Sequence, residues 1–343
     1  MPHSAPYRAI AATATATALV LLTACSSDSG SGSTAGGQAK IAAVIKGLDN
    51  PFFQSMEQGI KDQGATAGIT PTVQAANSIT DTAGQADRLT ALAGQDFSCY
   101  IVNPITGTNL VQGLAQLAAQ KKTIVNIDSP VDASAAKAAS ATPATYIGTN
   151  NESAGEKAGA HMATLVPANA KVAAIGGIAG DVTSGARVDG FTKAVSGKLQ
   201  LVQTVAANWE RQEALTQATN VMQAHSDLAG FFVANDDMGL GVAQAVANAG
   251  KTGKVHIISV DGNKDALTAV KSGGIDAVVA QYPYAIGLMG MEACQAAAAG
   301  KTLPASVEAP VELVTKENAD KALASTPKPF GDYEDPFKAL IGG

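Results

Sequence analysis

Side chains suited to holding a small molecule recur in this chain just past short apolar runs. Lys46, Asp49, Asn50, Phe52 and Phe53 follow the run at 41–45, Asn103 follows 99–102, and Asp128 follows 123–127. Further on, Arg187 lies in the stretch after 171–175, and Trp209 follows 199–205. Asn235 and Asp236 follow 230–233, Asp261 follows 255–260, and Gln281 follows 277–280. Amides, carboxylates and a guanidinium are planar groups that donate and accept in fixed, often bidentate geometry. Aromatic rings cover apolar C–H faces. The set suits a neutral, hydroxyl-rich ligand such as a pyranose, furanose or polyol.

Each residue also has a plainer use. Phe52 and Phe53 open a helix and can staple it to the core. Asn103 precedes Pro104 and fits turn chemistry. Asp128, Asn235 and Asp261 are good caps, Asp236 and Asp237 even more so. Arg187 can be a surface charge, Trp209 a core filler, and Lys46 can contact ligand, pair with Asp49 or Asp128, or face solvent.

Enzymatic chemistry finds less support. Ile175-Gly176-Gly177-Ile178-Ala179-Gly180 lacks the Gly-x-Gly-x-x-Gly spacing that brings backbone against a pyrophosphate. There is neither a phosphate-cradling Gly-x-x-x-x-Gly-Lys-Ser/Thr loop nor a nucleophile elbow. His161, His225 and His256 are scattered, and His3 falls in the N-terminal leader, so neither a triad nor a metal site is expected. No catalytic residue, metal or cofactor is assigned. The formal charge of -6 is spread over both signs without a basic stripe, which argues against nucleic acid.

These side chains must be positioned by the elements between them. Short apolar runs alternate with Ala-rich amphipathic stretches. Strands are predicted at 41–45, 70–74, 99–102, 123–127, 171–175, 199–205, 230–233, 255–260 and 277–280. Helices are predicted at 51–67, 81–93, 109–120, 152–165, 184–195, 210–223, 238–249, 265–272 and 284–299. Strand–helix alternation implies parallel sheets with helices on both faces. A chain of 343 residues suits two such cores. The fold class is therefore α/β, with two doubly wound, Rossmann-like halves. In open parallel sheets ligands bind beyond the carboxyl ends of the strands, where the polar residues above fall.

The ends of the chain read differently. Arg8, the apolar stretch 9–22 and Leu22-Thr23-Ala24-Cys25 look like a bacterial lipoprotein signal, so 1–24 is read as a signal peptide and Cys25 as the lipid-bearing residue. The apolar run is short of the ~20 residues that span a bilayer. Residues 25–39 form a Ser/Gly-rich tether. Cys99 and Cys294 are the two remaining thiols, and a disulfide between them competes with two small buried hydrophobes. The tail 325–343 is read as a surface wrap or a frayed end.

Five segments in order, Asp49-Asn50-Pro51-Phe52-Phe53, Ile101-Val102-Asn103-Pro104, Asn235-Asp236-Asp237-Met238, Ser259-Val260-Asp261-Gly262 and Ala280-Gln281, resemble the binding segments of the ribose-binding-protein group. These are periplasmic sugar-binding proteins of ABC importers, and the similarity runs from about residue 40 to 314. The resemblance implies the type I periplasmic binding protein fold, two lobes joined by a three-segment hinge. It implies an N-terminal lobe of 40–149 plus 282–310 and a C-terminal lobe of 150–281 plus 311–324. It implies ligand contacts from Asn50, Phe52, Phe53, Asn103 and Asp128 on one side, and from Arg187, Trp209, Asn235, Asp261 and Gln281 on the other. Lys46 stands where the ribose binder has a small hydroxyl residue, and Ser129 where an arginine is usual, which puts ribose itself in doubt. The function implied is capture of a monosaccharide or sugar alcohol by hinge closure. Its bearer is a monomeric, lipid-anchored extracytoplasmic protein that docks on ABC permease subunits. A binder presenting its ligand to a membrane sensor is the alternative, and a secreted α/β enzyme a third class.

Overall fold

The computed structural model describes residues 39–342. The expected signal peptide, the expected lipid-bearing Cys25 and nearly all of the expected tether lie outside the described residues. The first half of the chain runs β1 (Ile41–Ile45), α1 (Pro51–Thr66), β2 (Thr72–Ala75), α2 (Thr82–Ala93), β3 (Cys99–Val102), α3 (Val111–Ala119), β4 (Thr123–Ile127), α4 (Ala133–Ala138) and β5 (Thr145–Thr149). The second continues with α5 (Asn151–Leu165), β6 (Lys171–Gly176), α6 (Val182–Val195), β7 (Gln200–Ala206), α7 (Arg211–Ala224), β8 (Leu228–Val233), α8 (Asp236–Asn248), β9 (His256–Asp261), α9 (Lys264–Ser272) and β10 (Ala277–Ala280). The closing elements are α10 (Pro283–Ala298), β11 (Ser306–Ala309), β12 (Glu312–Thr315), α11 (Ala319–Ser325) and α12 (Pro336–Leu340).

Two six-stranded sheets result, ordered β11-β5-β4-β3-β1-β2 and β12-β10-β9-β8-β6-β7. All neighbours are parallel except β12, which runs antiparallel to β10. Each sheet is covered on both faces, which is why its inner strands are continuous apolar runs. The two-residue alternation of a strand sorts their side chains. In β1, Ile41, Ala43 and Ile45 join the core beneath α1 and α10, while Ala42 and Val44 join the opposite core with Leu89 and Leu114. In β6, Ala173 and Ile175 face one core of the second sheet and Val172 and Ala174 the other.

The chain passes between the sheets after β5, after β10 and between β11 and β12, which makes the three-segment hinge. The elements not predicted are α4, β5, β11, β12, α11 and α12. β5 contains two Thr and a Gly, and β11 alternates exposed and buried residues, so neither shows an apolar run. The tail is more than a frayed end. α12 packs on α10 with Phe337 wholly buried, and Phe330 touches core residues of both lobes. A disulfide joins Cys99 of β3 to Cys294 of α10, with Cα atoms 5.7 Å apart, fastening that helix to the first sheet.

Candidate functional site

Both sheets direct the carboxyl ends of their strands at a common cavity. In the first lobe Asn50 caps α1: its Oδ1 accepts the Phe52 N–H at 2.9 Å, and Pro51 supplies the preset φ of the first helical turn. With the amide oxygen so engaged, the NH2 group is what Asn50 has left for the cavity wall. The cap places Phe52 and Phe53 side by side, ring centroids 5.1 Å apart and edge to face. At the end of β4 the chain turns sharply, with Asp128 at φ +60°. Such backbone is uncommon outside glycine and clusters at functional sites.

Lys46 reaches across from β1 to this turn. Its Nζ donates to Ser129 Oγ at 2.7 Å, Ser129 Oγ donates to Asp128 Oδ2 at 3.2 Å, and Lys46 Nζ lies 3.9 Å from the same oxygen. The ammonium also stands 5.5 Å from the Phe53 ring centre. Of the roles open to Lys46, pairing with Asp128 at the cavity wall is the one observed, and Asp49 instead accepts the Ile79 N–H.

The second lobe is wired more densely. Arg187 on α6 is no surface charge, being 4% exposed. Its Nε donates to Asn151 Oδ1 at 2.7 Å, and its Nη1 to the Ala234 carbonyl at 2.7 Å and to Asp261 Oδ1 at 3.4 Å. Gln281 Nε2 donates to that same oxygen at 2.7 Å. Asn235 caps α8 by accepting the Met238 N–H at 3.0 Å and also lines the cavity. Trp209, at φ +66°, sets its ring 6.0 Å from the Arg187 guanidinium and touches core residues of both lobes. Gly177 makes this possible, because a Cβ there would collide with the indole. The glycine-rich segment after β6 thus makes room for an aromatic ring.

Burial dominates the acids. It raises the Asp261 pKa to about 7 against the opposing pull of Arg187 and Gln281, and it raises that of Asp128 against Lys46 and Arg187. Asp236, behind the wall, is pushed well above the ordinary range by burial and by the neighbouring Asp261.

The space among these residues amounts to about 500 Å³ with its opening to solvent included. Lys46, Asn50, Phe52, Phe53, Asp128, Arg187, Trp209, Asn235 and Asp261 all line it. Two expected contacts do not. Asn103 is wholly buried, its Nδ2 3.5 Å from Met56 Sδ, and Gln281 spends its amide on Asp261. Both follow strands, but their side chains stand behind the wall. Ile79, Ile105, Ser129, Ile178 and Thr183 also line the cavity and were not singled out as contacts. Ser129 was noticed only as a departure, and Ile178 lies in the glycine-rich turn set aside as uninformative. The charged lining groups are two cations, Lys46 and Arg187, and two acids, Asp128 and Asp261. Among the described residues no cluster of three or more His, Cys, Asp or Glu is placed to hold a metal ion.

Two parallel-sheet lobes, a three-stranded crossing and an interlobe cavity define a type I periplasmic binding protein. The chain belongs to that family: the periplasmic binding protein domain model matches residues 41–302. It is similar to the D-allose-binding periplasmic protein of Escherichia coli K12, with 34% identity over 79% of this chain and 89% of that one. It is also 30% identical to the ribose import binding protein RbsB of Bacillus subtilis 168, over 81% of this chain and 87% of the relative. Among solved structures, an ABC transporter periplasmic solute binding protein from Actinobacillus succinogenes with bound D-allose superposes with a TM-score of 0.78 at 27% identity, covering 82% of this chain and 99% of that one. These relatives are binding proteins, not enzymes.

Proposed function

We propose that this protein is the extracytoplasmic solute-binding component of an ABC importer and captures one monosaccharide between its lobes. The observation that carries the reading is the meeting of two complementary sets in one cavity. The first lobe brings Lys46, Asn50, Phe53 and Asp128, and the second Arg187, Trp209, Asn235 and Asp261. With both acids ionised the lining charges cancel, which suits a neutral ligand. Carboxylates accept hydroxyl protons, the cations and amides donate to hydroxyl oxygens, and the rings cover C–H faces. Asn103, which hydrogen-bonds the Asp128 carboxyl, and Gln281, which holds Asp261, act through those acids rather than by touching ligand.

A ligand that contacts both lobes binds the closed form more tightly and shifts the population toward it. Closure removes its hydroxyls from water, so an epimer that leaves Asp128 or Arg187 unpaired loses ~1–3 kcal/mol per unsatisfied group. The protein binds and releases without chemistry. Lipidation at Cys25 would keep a monomer near its permease subunits, with 40–149 plus 282–310 and 150–281 plus 311–324 as the moving lobes. D-allose and D-ribose, named for the relatives, are the first ligands to try. A thermal-shift screen of aldoses, ketoses, sugar alcohols, sugar acids and amino acids tests this. A rise in Tm with a neutral monosaccharide or sugar alcohol is expected, and a response confined to amino acids or sugar acids contradicts it.

A further inference from the structure

The segment Asn235-Asp236-Asp237 divides three tasks among adjacent polar residues. Asn235 caps α8 and lines the cavity, and Asp237 forms a surface ion pair with Arg211 at 2.6 Å. Asp236 does neither. It is wholly buried and lines no part of the cavity. Its Oδ1 accepts the Ser259 hydroxyl at 2.5 Å, and its Oδ2 accepts the N–H groups of Gly262 at 2.8 Å and Asn263 at 2.7 Å. These partners flank Asp261 on both sides. Asp261 has φ +138° and Gly262 φ +87°, a pair of left-handed conformations that only glycine adopts readily. A non-glycine residue persists there only where its surroundings over-determine it.

We infer that Asp236 is a positioning residue for the proposed ligand site: it pins the Asp261 turn from behind. The inference rests on the carbohydrate-binding reading above. Geometrically, one carboxylate satisfies the hydroxyl before Asp261 and the two backbone N–H groups after it, while the Gln281 N–H donates to the Asp261 carbonyl at 2.8 Å. Four hydrogen bonds thus hold the residue at the angle that aims its carboxylate at Arg187. Electrostatically, Asp236 forms no ion pair among the described residues, and Asp261 is the charged group beside it. Asp261 in turn faces Arg187 from α6 and Asp128, with its partner Lys46, from the first lobe. Burial and the neighbouring Asp261 make Asp236 hold its own proton well above the ordinary carboxylate range.

Two substitutions test this role. Asp236→Asn can keep the N–H acceptor and let the Ser259 hydroxyl turn to accept. Asp236→Ala removes both. In calorimetric titrations with a monosaccharide that the wild type binds, affinity is expected to decline on acidification as Asp261 takes up its proton. D236N should bind within about threefold of wild type across the pH range, because an acceptor for the turn survives. D236A should bind about tenfold or more weakly at every pH, since two part-buried N–H groups and a buried hydroxyl lose their acceptor. In the ligand-free protein, hydrogen exchange at Gly262 and Asn263 should accelerate in D236A and stay slow in D236N. Wild-type exchange at those amides in D236A, or a D236N that binds as weakly as D236A, overturns the inference. A wild type that binds no sugar sinks the functional reading instead, and the exchange experiment still decides whether Asp236 pins the turn.

Discussion

The two halves of the cavity reach similar chemistry by different construction. In the second lobe, Arg187 and Asp261 are each held by several partners: Asn151 and the Ala234 carbonyl fix the guanidinium, Gln281 fixes the carboxylate, and Asp236 fixes the turn. In the first lobe, Lys46 is a long, flexible side chain whose one hydrogen bond goes to Ser129, and Asp128 sees it across 3.9 Å. A guanidinium in a fixed fork is pre-organised, whereas an ammonium on a four-carbon stem adapts. The second lobe therefore offers a rigid template, and the first supplies an adjustable cation that completes it on closure.

The heaviest blow to this contrast is Arg187→Met. It strands Asp261 in a buried site without its cation, a change that costs ~3–5 kcal/mol for a buried pair. Sugar affinity should fall by two orders of magnitude or more with the circular dichroism spectrum unchanged. A loss below about tenfold means the second lobe is not the template. A milder effect is expected from Lys46→Met, which removes one part-buried donor of ~1–2 kcal/mol. Affinity for the best sugar should fall about tenfold, and the ranking among sugars should change more than for any second-lobe variant. An unchanged ranking would equate the two halves.

The smallest effect is on stability against pH. The Asp261 pKa is raised on folding, from the ordinary 3.8 to about 7. Its contribution is therefore fully present below the unfolded value and lost as pH rises through about 7. Asp261→Asn should flatten the decline of Tm between pH 5 and 8 by a few degrees. Asp128→Asn should act in the same direction, since burial raises that acid too. A steeper decline in D261N contradicts the assignment.

Much of this site is legible in the sequence because parallel sheets place strand-end residues together. Asn50, Phe53, Asp128, Asn235 and Asp261 fall at the cavity for that reason. The same rule names a position and not a direction, so Asn103 and Gln281 carry the right signature yet stand behind the wall. Lys46 could not be placed from its neighbours, because its partner Ser129 lies 83 positions away in sequence. Gly177 acquires meaning only against Trp209, and Asp236 only against the strained Asp261 turn. Among the elements, β5 and β11 escape an apolar-run reading because sheet neighbours, rather than their own composition, make them strands.

Trp209 is the one tryptophan of the chain and lines the cavity, so its emission reports on the site alone. Titrating the purified protein with D-allose and D-ribose, with calorimetry in parallel, addresses the central claim directly. A saturable change in emission for at least one of them, matching a calorimetric stoichiometry of one, is the predicted result. Calorimetric saturation by a sugar with silent tryptophan emission, or no binding of any monosaccharide or sugar alcohol, would contradict a ligand held between the two lobes.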